Sequence, residues 1–247
     1  MKPFRHQAGR GALIGPMVIA CVCIEKKDEK KLKAIGVKDS KALTPEKREE
    51  LAKYIEDIAK DIVILRIPAC KILSYRKEYK MKLDELEALK VAQIIEMVNA
   101  KKFYIDSLGN VEEGKGKFEE NIRKNLRRKD VELIVENYAD ETYPVVSAAS
   151  IIAKVERDRE IEKLKKEVGF DFGVGYSHDE RTIKFLEKIF LEYDKKPNFV
   201  RWHWNTVENL AEKLWKEGKN LKPWVKKEIL KGKSWQMIIK DFFKKKK

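Results

Sequence analysis

The sequence predicts an α/β fold whose sheet is at least partly parallel. Short apolar runs alternate with segments whose apolar residues recur at helical spacing, and this alternation continues through most of the chain. After about Asn198 the texture changes. Trp202, Trp204, Trp215, Trp224 and Trp235 all fall in the last fifth, among lysines, which predicts a small helical basic extension with no clear linker. No internal repeat is present.

In chain order, the Val, Ile and Cys of Met17–Ile24 predict a buried strand. In "DSKALTPEKREELAKYIEDIA" a loop gives way to a helix, with Thr44 as N-cap and Pro45 as first helical residue. "DIVILRIP", Asp61–Pro68, predicts a strand, and Leu83–Asn99 a helix. "KKFYIDSLG" predicts a short strand that carries Asp106 at its end and breaks at Gly109. "GKGKFEENIRKNLRRKD" predicts a basic helix, and "VELIVENYAD" a strand ending near Asp140. "YPVVSAASIIAKVERDREIEKLKKEV" predicts a long helix that opens apolar and ends charged.

A chain of 247 residues can bury one sizeable core, or a core with an appendage. Lys and Arg outnumber Asp and Glu by 55 to 41, giving +14. Such an excess calls for a polyanionic partner, nucleic acid first, against the plainer reading of a solvated surface with a basic tail. The tail "FFKKKK" supplies part of the excess, but taking its four lysines from +14 still leaves +10. Cys21, Cys23 and Cys70 show neither zinc spacing nor C-x-x-C, and read as reduced core residues of a cytoplasmic protein. The apolar run Ala12–Ile24 follows a basic N-terminus, and "VIAC" loosely resembles a lipoprotein box. It is shorter than the ~20 residues of a membrane span, and Gly15-Pro16 interrupts it. A turn followed by a buried strand is therefore favoured over secretion or anchoring.

Two carboxylates stand out by position, Asp106 at a strand end and Asp140 between a strand and a helix. Strand ends opening on one crevice are where open α/β sheets place their sites, and paired carboxylates suit Mg²⁺. Spacing alone favours ordinary turn and N-cap aspartates. "GVGYSHD", Gly173–Asp179, is a glycine-rich loop carrying an aromatic, and reads equally as a plain turn. Lys41 in "DSK" could meet a phosphate or simply be solvated, and His178 and His203 lack metal-ligand spacing.

Taken together, "AGRGALIGPMVIA", "VKDSKALTPEKRE", "YIDSLG", "YADETYPVVSAASIIAKVERDRE", "GVGYSHDERTIKFLE" and "VRWHWNT" resemble ribonuclease HII, the archaeal type most of all, over roughly Ala8 to Thr206. The resemblance implies a ribonuclease H-like mixed five-stranded sheet with flanking helices, a catalytic domain over 1–198 and a helical basic extension over 199–247. It implies an endonuclease that cleaves the RNA strand of RNA/DNA hybrids and ribonucleotides embedded in DNA, with four carboxylates around two divalent ions, Mg²⁺ or Mn²⁺. Asp106 and Asp140 match the third and fourth acids. Gly9, Arg10 and Gly11 match the motif that meets the ribose 2′-hydroxyl through its backbone, the group that distinguishes RNA from DNA. Tyr176 matches the tyrosine on the junction sugar, and Lys41, Ser147 and Lys154 match polar positions near the phosphates. A cytoplasmic monomer without a membrane is expected.

The family reads Asp-Glu immediately before Ala-Gly-Arg-Gly, where this chain has His6 and Gln7. Gln keeps an oxygen without charge, and His offers a nitrogen better matched to Mn²⁺ than to Mg²⁺. The departure is wider than two residues. A central first strand should be mostly apolar, and "KPFRHQ" offers Pro3, Arg5 and His6. The strand pattern is therefore expected to fail before Ala8. That favours an N-terminus altered in the sequence itself over a true loss of catalysis. The alternative function is a non-catalytic module that binds RNA/DNA junctions.

Overall fold

The computed structural model describes residues 2–37, 43–107 and 112–230. The chain forms two compact units, one of Met1–Arg10 with Pro16–Glu160 and one of Gly11–Gly15 with Ile161–Lys247. These boundaries differ from a division at residue 198.

The first unit is built on a five-stranded mixed sheet. Its strands are β1 (Lys2–Ala8), β2 (Met17–Ile24), β3 (Asp61–Ile67), β4 (Lys102–Asp106) and β5 (Glu132–Glu136), in spatial order β3-β2-β1-β4-β5. β1 pairs antiparallel with β2 and parallel with β4, β2 antiparallel with β3, and β4 parallel with β5. The first unit's helices are α1 (Glu29–Ala34), α2 (Pro45–Ile58), α3 (Ala69–Glu78), α4 (Leu83–Met97), α5 (Glu112–Asn125), α6 (Ala139–Thr142) and the opening of α7 (Pro144–Val168).

The main departure from expectation is β1. Pro3, Arg5 and His6 do not abolish the strand: Lys2–Ala8 is extended and lies at the centre of the sheet. The reason is backbone pairing. All seven residues from Lys2 to Ala8 are matched with β2, from Lys2 opposite Ile24 to Ala8 opposite Val18. β2 is buried at every position, so it offers a continuous apolar ladder that fixes its neighbour. Proline stands second in the strand, near the end where a missing N–H is tolerated.

Elsewhere local chemistry sets the elements. Thr44 Oγ1 accepts the Lys47 N–H at 3.3 Å and Pro45 opens α2, as the N-cap signal required. The core joins Val18, Ala20 and Val22 of β2 to Leu51 and Ile55 of α2 and to Val145, Ala149 and Ile152 of α7. Ala148, Ala149 and Ala153 of α7 are buried in the same core. Cys21 and Cys23 are buried as expected, but Cys70 is exposed: it falls in the first turn of α3, where Ala69 and Ile72 take the inward positions.

The second unit holds the end of α7, α8 (Glu180–Glu192), α9 (Asn205–Lys216) and a π-helical turn, Val225–Ile229. Phe190, Trp202 and Trp224 pack together, with the Trp202 and Trp224 rings edge to face at 5.2 Å. Trp202 is thus a buried core residue of this unit, and Trp224 packs on it half-buried. No helix of the described residues is long and apolar enough to cross a membrane.

Candidate active site

β4 ends at Asp106, and its Oδ1 accepts the backbone N–H of Ala139 at 3.1 Å. Ala139 precedes Asp140, so one hydrogen bond ties the strand end to the segment carrying the second carboxylate. Tyr138 adopts φ +55, a conformation rare for a residue with a side chain, and this turns the chain from β5 into α6. Asp140 is buried. The buried Ser147 donates its hydroxyl to the Asp140 carbonyl oxygen, so Ser147 supports the backbone of α6.

β1 brings positions 6 and 7 into the same region of the sheet. Phe4 is level with Tyr104 and Arg5 with Ile105. One further step along this parallel register places position 6 level with Asp106. Gln7 follows, half-buried and opposite Ile19. On the other side of Asp106 the register gives Glu136, a carboxylate that the sequence reading missed. Glu136 accepts a hydrogen bond from Tyr143, whose hydroxyl is held above its ordinary pKa by burial first and by Glu136 second. The only signal for it was its place at the end of "VELIVE", next to a strand end already singled out.

The turn after β1 is built for Gly9. Its φ is +84, and a Cβ there would lie 2.6 Å from the Pro16 carbonyl oxygen and 2.9 Å from the Arg157 side chain. Arg10 reaches α4, where it donates to Asp84 and, at 3.2 Å, to the fully buried Glu87. Its side chain therefore anchors the turn to α4. Gly11 differs from Gly9: it is exposed, has no left-handed φ, and a Cβ would meet nothing within 4 Å. On α7, Ser147, Lys154 and Arg157 recur at helical spacing, and Lys154 is half-buried. Lys41 lies outside the described residues.

In the second unit, Tyr176 sits in the loop 173–179 before α8. Asp179 organises that loop. It accepts the Val174 N–H at 2.9 Å and the Arg181 N–H at 3.0 Å, and a Cβ on Gly173 (φ +73) would lie 1.9 Å from its Oδ2. Arg181 first, and the Val174 N–H next, hold the Asp179 carboxyl down at about 2. Gly175 donates to Thr182 Oγ1 at 3.0 Å, and its carbonyl accepts from Leu13 at 2.8 Å. Tyr176 is half-buried, with its ring stacked on His178 at 5.5 Å.

Among the described residues no group of three or more His, Cys, Asp or Glu side chains forms a metal cage. The donors near the strand ends are the carboxylates of Asp106 and Asp140, with Glu136 bound to Tyr143. With no acid at position 6 or 7, the carboxylates Asp106, Asp140 and Glu136 fall short of the four acids that the family resemblance implies for a two-ion centre.

The model of the family "Ribonuclease HII" matches residues 6–207. This chain belongs to the ribonuclease HII family. The Methanosarcina acetivorans ribonuclease HII is 44% identical over 220 residues, spanning 86% of this chain and 96% of its own. The crystal structure of ribonuclease H2 from Pyrococcus horikoshii OT3 aligns with a TM-score of 0.77 at 39% identity, covering 87% of this chain and 99% of that one. Ribonuclease HII from Archaeoglobus fulgidus, solved as a complex with PCNA, aligns at 0.73 and 38% identity, covering 85% and 96%. The mixed five-stranded sheet is the ribonuclease H fold, and the family places the chain among the ribonuclease H-type endonucleases.

Proposed function

We propose that this chain binds RNA/DNA hybrids and DNA carrying embedded ribonucleotides, and that as it stands it cleaves them weakly. Gly11 carries the first half. The fold has no need of glycine at that position, so the exposed, unhindered backbone serves an incoming ligand, and the matching family motif meets a ribose 2′-hydroxyl. The +14 charge suits the polyanion. Tyr176 would pack on the junction sugar, and Lys41 and Lys154 would meet phosphates.

The donor set carries the second half. Asp106 and Asp140 could hold one divalent ion, Mg²⁺ or Mn²⁺, and the nitrogen ligand type at position 6 favours Mn²⁺. Such an ion would supply Lewis-acid stabilisation of the phosphate. Asp106 and Asp140 would orient it, with Ser147 and the Ala139 N–H holding their segments in place. The same deficit favours a second reading, a junction-binding module without turnover.

Titration of a labelled hybrid at several salt concentrations tests the binding. Affinity should fall with a log–log slope of roughly −0.7 to −0.9 per phosphate contacted. Affinity that does not change with salt would refute it.

The PCNA partner of the Archaeoglobus protein extends to this chain as a further proposal. Its support is sequence alone, outside the described residues: Ile239, Phe242 and Phe243 recur at i, i+3, i+4, a spacing suited to an apolar groove. Calorimetry with PCNA should show binding by the whole chain and none by a chain ending at residue 235.

A further inference from the structure

A pocket of about 300 Å³ opens between the end of β3, α3 and α4, at the small end of ligand clefts, ~300–1,000 Å³. Arg66, Lys71, Tyr75, Tyr79 and Lys90 line it, together with Glu78, whose carboxylate accepts from Ser74 at 3.0 Å. Tyr79 is 67% exposed, an unusual position for an aromatic ring, and lies 5.7 Å from the Tyr75 ring. Lys90 Nζ stands 5.0 Å over the Tyr75 ring and donates to the Tyr75 hydroxyl and to Gln93. An ammonium has three N–H groups, so one remains for a ligand. Among the described residues neither Lys71 nor Lys90 is paired with a carboxylate.

The end of α3 is fixed in an uncommon way. Lys80 takes φ +54, and the Met81 N–H returns to the Tyr75 carbonyl at 3.2 Å. This closure holds both tyrosines at the rim. The sequence there, "YRKEYKMK", interleaves aromatics with cations.

The pocket is connected to the Gly9–Arg10 turn by two indirect chains of contact. Arg66 pairs with Glu156, whose chain neighbour Arg157 packs where a Cβ of Gly9 would stand. Lys90 follows Glu87, the buried partner of Arg10, by three residues on α4, on the same helical face.

We infer that this pocket is a second nucleic-acid contact, which takes one nucleotide of the duplex flank beyond the ribonucleotide. Lys71 and Lys90 meet its phosphate, and Tyr79 covers its sugar or base. Charge selects the occupant: two ammonium groups, against the single lining carboxylate of Glu78, beside an exposed ring suit a phosphodiester and its nucleoside. The inference rests on the proposed binding of hybrids.

The test uses fluorescence anisotropy, so it does not depend on turnover. Duplexes carry one ribonucleotide, with flanks shortened stepwise on either side. Expected is that Lys71→Ala with Tyr79→Ala weakens binding of long-flank duplexes about tenfold, lowers the salt slope by about one, and leaves short-flank binding unchanged. Lys71→Arg with Tyr79→Phe should restore long-flank binding. Long-flank binding and slope equal to wild type in the double alanine variant would overturn the inference, as would an equal loss on every flank length. Wild-type protein that binds no hybrid in a salt-dependent way would overturn the proposed function itself, and this inference with it.

Discussion

Arg10 Nη1 donates to Glu87 Oε2 at 3.2 Å, and Glu87 is fully buried while Arg10 is partly open to solvent. A buried carboxylate without its cation is costly. Arg10→Ala should therefore destabilise the protein by about 2–3 kcal/mol, below the ~3–5 of a fully buried pair because solvent screens one side. Arg10→Ala with Glu87→Gln should be milder than Arg10→Ala alone, since no stranded charge remains. Urea unfolding of both variants checks this.

Gly9→Ala meets two obstacles, a left-handed φ and a Cβ 2.6 Å from the Pro16 carbonyl oxygen. A loss of roughly 2–4 kcal/mol is expected from strain and overpacking together. Gly11→Ala meets neither and should leave Tm unchanged while weakening ribonucleotide recognition. Thermal melts beside binding titrations separate the two glycines.

Tyr176→Ala should reduce the preference for a duplex with one ribonucleotide over an all-DNA duplex more than it reduces overall affinity. For scale, aromatic stacking on a base is worth ~1–3 kcal/mol in single-strand binders, and packing on a sugar should contribute less. An equal loss on both duplexes would make the residue a packing element.

Asp179 gives the Tyr176 loop an acid limit. Its folded pKa of about 2 lies below the ordinary aspartate value. A carboxylate with a lowered folded pKa contributes stability that is complete above its unfolded pKa, ~3.9, and is lost as pH falls through the folded one. The protection of the Val174 amide, relative to its intrinsic exchange rate, should therefore fall between about pH 4 and pH 2, and Asp179→Asn should be less protected throughout, with that pH step removed.

Legibility divided along physical lines. β2, β3 and α2 were readable because their signals are local: an unbroken apolar run or a Thr-Pro cap. β1 was not, because seven pairings with β2 hold it despite an unfavourable composition. Asp106 and Asp140 were visible as strand-end acids, but Glu136 needed the register that sets it beside Asp106. Ser147 matched a polar position near the phosphates by motif, whereas its burial and its bond to the Asp140 carbonyl appear only when α7 is folded against α6. The pocket at Tyr75 and Tyr79 draws on three elements, of which only "YRKEYKMK" is contiguous.

β1 forms at the centre of the sheet, and positions 6 and 7 carry no carboxylate. Because β1 forms and sets position 6 level with Asp106, His6→Asp with Gln7→Glu should need no repair of the strand. The decisive measurement is cleavage of a duplex carrying one ribonucleotide with Mg²⁺, for the chain as it stands, each single change and the double change. The double change should raise the rate by at least about a hundredfold, and each single change should recover little, since residues acting as a unit are strongly non-additive. If the unchanged chain already cleaves at the double variant's rate, catalysis does not depend on acids at positions 6 and 7, and the account is contradicted.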